Sequence, residues 1–294
     1  MDSPGTTPLC ACETFNRKRG LIKSPGKEVE EVPVIGVASV FTPSQNRGKG
    51  FAGVMMQLLS KRARNITGAR GFSVLYSDIG PEFYHKNGGW KAFEGFELVI
   101  PSSQVFHNFQ LPSSVSLQQA KDCIERDTRI LRQEFSSLAD PATTTVQMIP
   151  QWGELEWAHL RGQHAGRHLN IDVGDIVGAE VSGGSDGDWG YILWFHEFKD
   201  SSLTVLRIRE PSADSGLQGL LYAALNEARR LQLSKVTIWS PNQRLKTLTG
   251  EQIVMRKHSL PALLVLSAAE GESNASESPS QKLIWRNIEK LGWC

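Results

Sequence analysis

Residues 45–50 read Gln-Asn-Arg-Gly-Lys-Gly and stand between an apolar run and an amphipathic one. Two glycines one residue apart permit left-handed backbone. A helix starting at Phe51 would then aim its unpaired first N–H groups, and the positive end of its dipole, at whatever lies in front. That arrangement holds a phosphate. Gly48, Gly50 and Gly53 satisfy the bare G-x-G-x-x-G of a dinucleotide fold, but the acidic residue for the ribose would be Asp78, later than the usual ~20 residues. A P-loop needs four residues between its glycines and then Lys-Ser or Lys-Thr, and the stretch has neither. Further on, Tyr84 offers a phenol and Asp78 a carboxylate, side chains that can give and take a proton. The same residues also suit structural roles, Tyr84 as a half-buried aromatic and Asp78 as a cap for the helix after Pro81. His164 and His168 have metal-compatible spacing if helical, yet without an acidic or cysteine partner they read as surface histidines.

Elements of definite type must hold these groups. Residues 32–42, VPVIGVASVFT, are β-branched and apolar on both faces, as in a central strand. From Phe51 the apolar positions 51, 54, 55, 58 and 59 predict a helix that closes in Lys61 to Arg64, with Gly68 beyond it. A strand over 71–80, a short helix with Pro81 in its first turn, and one more strand or bent pair over 89–101 complete the unit. Ahead of it lie weak strand character near Leu9 to Phe15 and a loop over 24–31.

Ser116 and Gln119 have capping-box spacing. Leu117, Ala120, Ile124, Leu131, Phe135 and Leu138 form a stripe, so 111–138 reads as a connecting helix. Residues 141–145 mark a boundary. Beyond it the sequence predicts a hairpin turning at 199–202, a helix over about 215–231, and strands in KVTIWSP and LPALLVL. Strand, helix, strand therefore occurs twice, over 32–79 and 203–240, but the second loop, REPSADSGLQG, lacks the spaced basic and glycine residues of the first. The segment 268–281, AAEGESNASESPSQ, has little apolar content and is expected to be disordered.

With 294 residues, 40% of them hydrophobic, the chain can build two ordinary domains. Its 32 basic and 31 acidic residues leave a net charge of +1, which gives no field for nucleic acid or an anionic membrane. Cysteines at 10, 12, 123 and 294 are too few and too irregular for a disulfide framework or a four-ligand zinc site, so free thiols are expected. No apolar run approaches the roughly 20 residues needed to span a bilayer, and residues 1–20 lack a signal-peptide core. The expectation is a cytoplasmic protein without a metal.

The stretch 45–50 also has the form Q/R-x-x-G-x-G/A, and FYHKNGGW at 83–90 follows with a strand between. Together these resemble the two signatures of the GCN5-related N-acetyltransferase (GNAT) superfamily. More narrowly, ASVFTPSQNRGKG, SVLYSDIG, the hairpin and the terminal WRNIEKLGWC resemble the fungal lysine N6-acetyltransferase family, from about Ala11 onward. The resemblance implies an α/β (α+β) fold with a mixed central sheet and acetyl-coenzyme A as co-substrate. It implies direct transfer to a small-molecule amine, with the lysine side chain leading. A tailoring enzyme for an amine-bearing secondary metabolite and an inactive coenzyme-binding remnant stay open.

By the same resemblance, Ser39, Val40 and Phe41 would pair with the pantetheine arm, and a backbone N–H near Val40 or Phe41 would polarise the thioester carbonyl. Within the motif from Gln45 and Asn46 onward, the N–H groups from Arg47 through Gly48, Lys49, Gly50, Phe51 and Ala52 would hold pyrophosphate. Tyr84 matches the general acid. Asp78 or Glu13 would be the base. The implied domains are a coenzyme-binding unit over 1–110, a connecting helix and linker over 111–142, and a second α/β domain over 143–294 resembling a degenerate GNAT half, with a disordered loop near 269–281. Residues 1–44 are too few for the superfamily's whole front half, so its first strand and helices are expected to be missing. An exposed sheet edge would then leave room for a homodimer.

Overall fold

A computed structural model describes residues 8–68, 70–138, 142–183, 185–266 and 282–292. The first unit runs β1 (Ala11–Lys23), β2 (Glu30–Phe41), α1 (Phe51–Ile66), β3 (Phe72–Ser77), α2 (Glu82–Gly88), β4 (Lys91–Ala92) and β5 (Phe96–Pro101). Next come β6 (Ser113–Ser116), α3 (Gln119–Ser136), β7 (Thr143–Met148), α4 (Trp152–His168) and β8 (Ile176–Val181). The chain continues through β9 (Gly190–Glu197), β10 (Ser202–Arg209), α5 (Asp214–Arg230), β11 (Lys235–Trp239) and α6 (Gln243–Thr249). It closes with β12 (Ile253–Met255), β13 (Leu260–Val265) and β14 (Lys282–Arg286). The segment expected to be disordered, 268–281, lies outside the described residues.

The fold is α/β with two mixed sheets, ordered β14-β7-β1-β2-β3-β13-β4 and β12-β5-β11-β10-β9-β8-β6. Strand periodicity sets their faces. In the first sheet Ile35, Val37 and Leu75 pack under α1 and α2 with Met56 and Trp90, while Val32, Val34, Phe72 and Val74 pack on the other side with Trp285. In the second, Leu203, Val205, Val236 and Ile238 face α5, and Tyr191, Leu193 and Phe195 pack with α3 and α4 residues. Both predicted strand-helix-strand units form, with β2 parallel to β3 and β10 parallel to β11. The capping box also forms, as Ser116 N–H donates to Gln119 Oε1 at 3.0 Å and Gln119 N–H to Ser116 Oγ at 3.4 Å.

The sheets do not divide the chain at 110 and 142. β5 leaves the first unit to lie between β11 and β12, with Leu98 opposite Ile238 and Ile253. β13 makes the reciprocal crossing and lies between β3 and β4. Each sheet therefore ends in the same pattern: a parallel strand, a strand lent by the other half, and a short edge strand. β7 and β14 join the first sheet as well, β7 pairing with β1 at Gly20 to Lys23. The rest of β1, from Ala11 to Arg17, pairs with β2 and has no second partner strand among the described residues. None of the helices among these residues is long and apolar enough to cross a membrane.

Candidate active site

The parallel pairing of β2 with β3 runs from Val34 opposite Phe72 to Val37 opposite Leu75 and then stops, although β2 continues to Phe41. The two strands part at this point. β2 is bulged there: Glu13 faces Ala38 and Ala11 faces Phe41, so two steps on β1 match three on β2. Ser39 takes up the extra residue at φ 51°, and its hydroxyl donates to Glu13 Oε2 at 2.5 Å. A bulge of this kind re-aims the backbone groups that follow it, here those of Val40 and Phe41.

The chain then turns through a short 3-10 segment, Ser44–Asn46, and enters the loop at Arg47. Gly48 has φ 75° and Gly50 φ 81°, and a Cβ on either would meet nothing within 4 Å. Glycine is required by backbone conformation, not by crowding. The first amide of the helix to bond backward is Val54 N–H, to Gly50 O at 3.1 Å. Among the described residues, the N–H groups of 48–53 have no hydrogen-bond acceptor, so they stand together at the positive end of α1. Arg47 does not reach over the loop. Its Nε donates back to Thr42 O at 3.0 Å, and Asn46 Nδ2 donates to Leu9 O at 3.3 Å. Gln45 Oε1 accepts only a distant contact from Ser44 Oγ, while Lys49 and Phe51 stand at least partly exposed at the loop's end.

α2 sits against α1, and Gly53 lets it approach: a Cβ there would lie 2.5 Å from Asn87 Oδ1. This packing buries Tyr84, 8% exposed, in the cluster that contains Val37 and Leu75, the last paired residues of the diverging strands, with Cys12 and Val40 at its margin. Phe83 meets the Tyr84 ring edge-on at 5.1 Å. Burial raises the Tyr84 phenol above its ordinary value, and Asp78 and Cys12 push the same way. Tyr84 is thus protonated at neutral pH, as a general acid must be.

Asp78 is exposed, and its Oδ1 accepts from Ser259 N–H at 2.8 Å. It does not cap α2. Ser77 does the work of that turn, donating to Gly80 O at 2.8 Å and accepting from Ile79 N–H at 3.2 Å, and the helix starts at Pro81 without a side-chain cap. Periodicity could not reveal the Asp78 contact, because Ser259 is distant in sequence and joins Asp78 through the exchanged strand β13. The Ser39 bulge and the Cys12 contact likewise left no sequence signal.

The second strand-helix-strand unit has no comparable opening for an anion. Arg244 donates to Asp214 Oδ1 at 2.8 Å and to the carbonyls of Pro211 and Ser212 at 2.7 and 2.9 Å, so that loop is internally filled. His164 and His168 do lie on a helix, α4, with their Nε2 atoms 3.2 Å apart. No group of three or more metal-ligating residues occurs among the described residues.

A family model, the LYC1 GNAT-like C-terminal domain, matches residues 101–294, well over half of the chain. The chain belongs to the LYC1 GNAT-like family. The matched stretch begins at the end of β5, so the loop at 45–50 and the buried Tyr84 precede it. A lysine acetyltransferase of Yarrowia lipolytica (strain CLIB 122 / E 150) is 23% identical over 98% of this chain and 85% of its own length. The fold is shared with a probable N-acyltransferase from Enterococcus faecalis V583, at TM-score 0.55 and 14% identity over 87% of this chain and 59% of that one. It is shared too with GCN5-related N-acetyltransferases from Kribbella flavida (0.53, 14%, 88% and 57%) and Anabaena variabilis ATCC 29413 (0.50, 18%, 86% and 59%). This LYC1 GNAT-like chain shares their fold and spans less than two thirds of the length of these solved structures.

Proposed function

We propose that the protein transfers an acetyl group from acetyl-coenzyme A directly to the amine of a small molecule, and that the lysine side chain is the leading acceptor. One observation carries this reading. The N–H groups of residues 48–53 lack acceptors at the head of α1, beside strands that part after Val37 and Leu75, with Tyr84 buried in the cluster those two residues share. The donor set fits a pyrophosphate. When bound, acetyl-coenzyme A supplies the acetyl thioester. The N–H of Val40 or Phe41, re-aimed by the bulge at Ser39, receives the carbonyl oxygen as charge builds on it. The neutral amine would attack the carbonyl carbon, the C–N bond forming as the C–S bond breaks. Tyr84 would give its phenol proton to the leaving sulfur, and the proton shed by the new amide nitrogen would restore the phenol.

A base must first take a proton from the incoming ammonium. Asp78 suits this role better than Glu13, because its charge acts on the Tyr84 phenol while Glu13 is held by Ser39 at the outer strand. The name of the Yarrowia relative supports lysine over other amines. A near-neutral chain goes with a cytoplasmic setting and a small-molecule partner rather than nucleic acid or membrane. The unpaired length of β1 suits association with a second copy. Calorimetric titration with acetyl-coenzyme A, then lysine in the same cell, tests the reading: saturable binding followed by thiol release is expected. Absence of coenzyme binding would remove it.

A further inference from the structure

Arg256 is 5% exposed, and its Nε, Nη1 and Nη2 have no hydrogen-bond partner among the described residues. A buried guanidinium without an acceptor is costly, since every one of its N–H groups was bonded to water in the unfolded chain. Its surroundings hold it in place but leave its donors unused. The Arg256 backbone N–H donates to Gly95 O at 2.8 Å, at the point where the two exchanged connections cross. Its Cζ lies 3.5 Å from the Trp239 ring centroid, and Lys290 Nζ lies 4.2 Å from the same centroid. A Cβ on Gly95 would come within 2.6 Å of Nη2, so a side chain there would push the guanidinium aside.

Arg256, Trp239 and Lys290 line a cleft of about 520 Å³ on the polar face of the second sheet, where Ser202, Thr204 and Thr237 present hydroxyls. Glu97 lines the same cleft and makes no side-chain hydrogen bond among the described residues. Ser259 forms part of the rim, and its N–H holds Asp78. Tyr76, two residues before Asp78 on β3, brings its ring to 5.8 Å from that of Trp239. The cleft therefore reaches the end of the strand that carries the proposed base.

We propose that this cleft binds the α-amino-acid end of the acceptor, with Arg256 taking the carboxylate and Glu97 the α-ammonium. The assignment rests on the acetyltransferase reading and deepens it. It explains why a fork of donors is kept dry and unpaired, since a carboxylate accepts two parallel N–H bonds from a guanidinium. Glu97 shares that space, where its charge acts on Arg256 while its oxygens accept no hydrogen bond among the described residues. Burial pulls the Arg256 guanidinium down to about 10 against the opposite pull of Tyr76 and Glu97, a cost that a bound carboxylate would offset.

The test is direct binding to the full chain without acetyl-coenzyme A, using L-lysine, 6-aminohexanoate and cadaverine. L-Lysine is expected to bind at least tenfold more tightly than cadaverine, which lacks the carboxylate. Arg256→Met should erase that difference. Glu97→Gln should weaken lysine while leaving 6-aminohexanoate unchanged, and it serves as the independent variant should Arg256→Met fail to fold. Equal affinity for lysine and cadaverine in the unaltered protein, or no lysine binding, overturns the site. A parallel titration with acetyl-coenzyme A separates the two failures. Coenzyme binding without lysine binding removes the amino-acid cleft alone, whereas loss of both removes the acetyltransferase reading beneath it.

Discussion

Asp127, wholly buried, accepts two hydrogen bonds from Arg207, one of 2.7 Å at Oδ2 from Nε and one of 3.0 Å at Oδ1 from Nη2. Tyr191 adds a third bond at 2.8 Å, and Arg207 Nη1 turns to Glu289 at 2.7 Å, so the group ties α3, β9, β10 and the C-terminal segment together. Asp127→Ala should destabilise the protein by about 3–5 kcal/mol in urea unfolding, because it strands a buried guanidinium. A loss under 1 kcal/mol would mean that Glu289 alone compensates Arg207.

The same carboxylate sets an acid limit. Burial by itself would raise Asp127, but Arg207 and Arg209 outweigh it and hold the group below the usual carboxylate range. A depressed native value gives stability that is fully present above the unfolded value of ~3.9 and is lost as pH falls through the native one. Melting temperatures should therefore drop below about pH 4 more steeply in the unaltered protein than in Asp127→Asn.

Tyr84 makes a prediction about turnover. With its phenol raised above the ordinary tyrosine value by burial, Asp78 and Cys12, the alkaline limb of kcat against pH that belongs to this residue should lie on the alkaline side of a free phenol's. Tyr84→Phe should lower kcat by on the order of 10²- to 10⁴-fold with coenzyme affinity retained. An unchanged rate would take Tyr84 out of the mechanism.

Gly50 caps α1 in the left-handed region, at φ 81° and ψ 0°. Gly50→Ala should cost about 1 kcal/mol of stability through backbone strain. It should also weaken coenzyme binding, because any relief of that strain displaces the acceptor-free N–H groups. Gly48→Glu, which sets a carboxylate against the same donors, should abolish binding in calorimetry; retained affinity would refute the phosphate loop.

Asp78 and Glu13 can be told apart by conservative amides. Asp78→Asn keeps an oxygen for Ser259 N–H, so its melting temperature should stay near that of the unaltered protein while kcat/KM falls at least 100-fold. Glu13→Gln should leave turnover within a few-fold. The reverse pattern would move the base to the bulged strand.

Much of this was legible in the sequence because it is local. Helix α1 follows from the apolar spacing after Phe51, the loop from Gly48 and Gly50, and the hairpin from its two apolar runs. The missed elements have local reasons as well. α4 buries Ala158, His159, Gly162 and Gly166 along with Leu155, a stripe too poor in large apolar residues to show a helical period. By contrast, no pattern within residues 96–101 states that their partner is β11 rather than a neighbour, since an apolar strand fits either sheet. The partnership of Asp78 with Ser259, and the meeting of Gly95 with Arg256, depend on that choice and were hidden with it.

The exchange of β5 and β13 also constrains synthesis on the ribosome. β3 carries the end of the coenzyme opening, yet its outer edge stays unpaired until Leu260 to Val265 emerge. At translation rates of 5–20 residues per second, the ~180 residues between β3 and β13 take roughly 10–35 s. For that interval the nascent chain exposes a strand edge that can pair with a neighbouring chain. The first sheet is in this sense complete only once β13 has been made, and the half that carries the acceptor-free N–H groups must wait for the half that follows it.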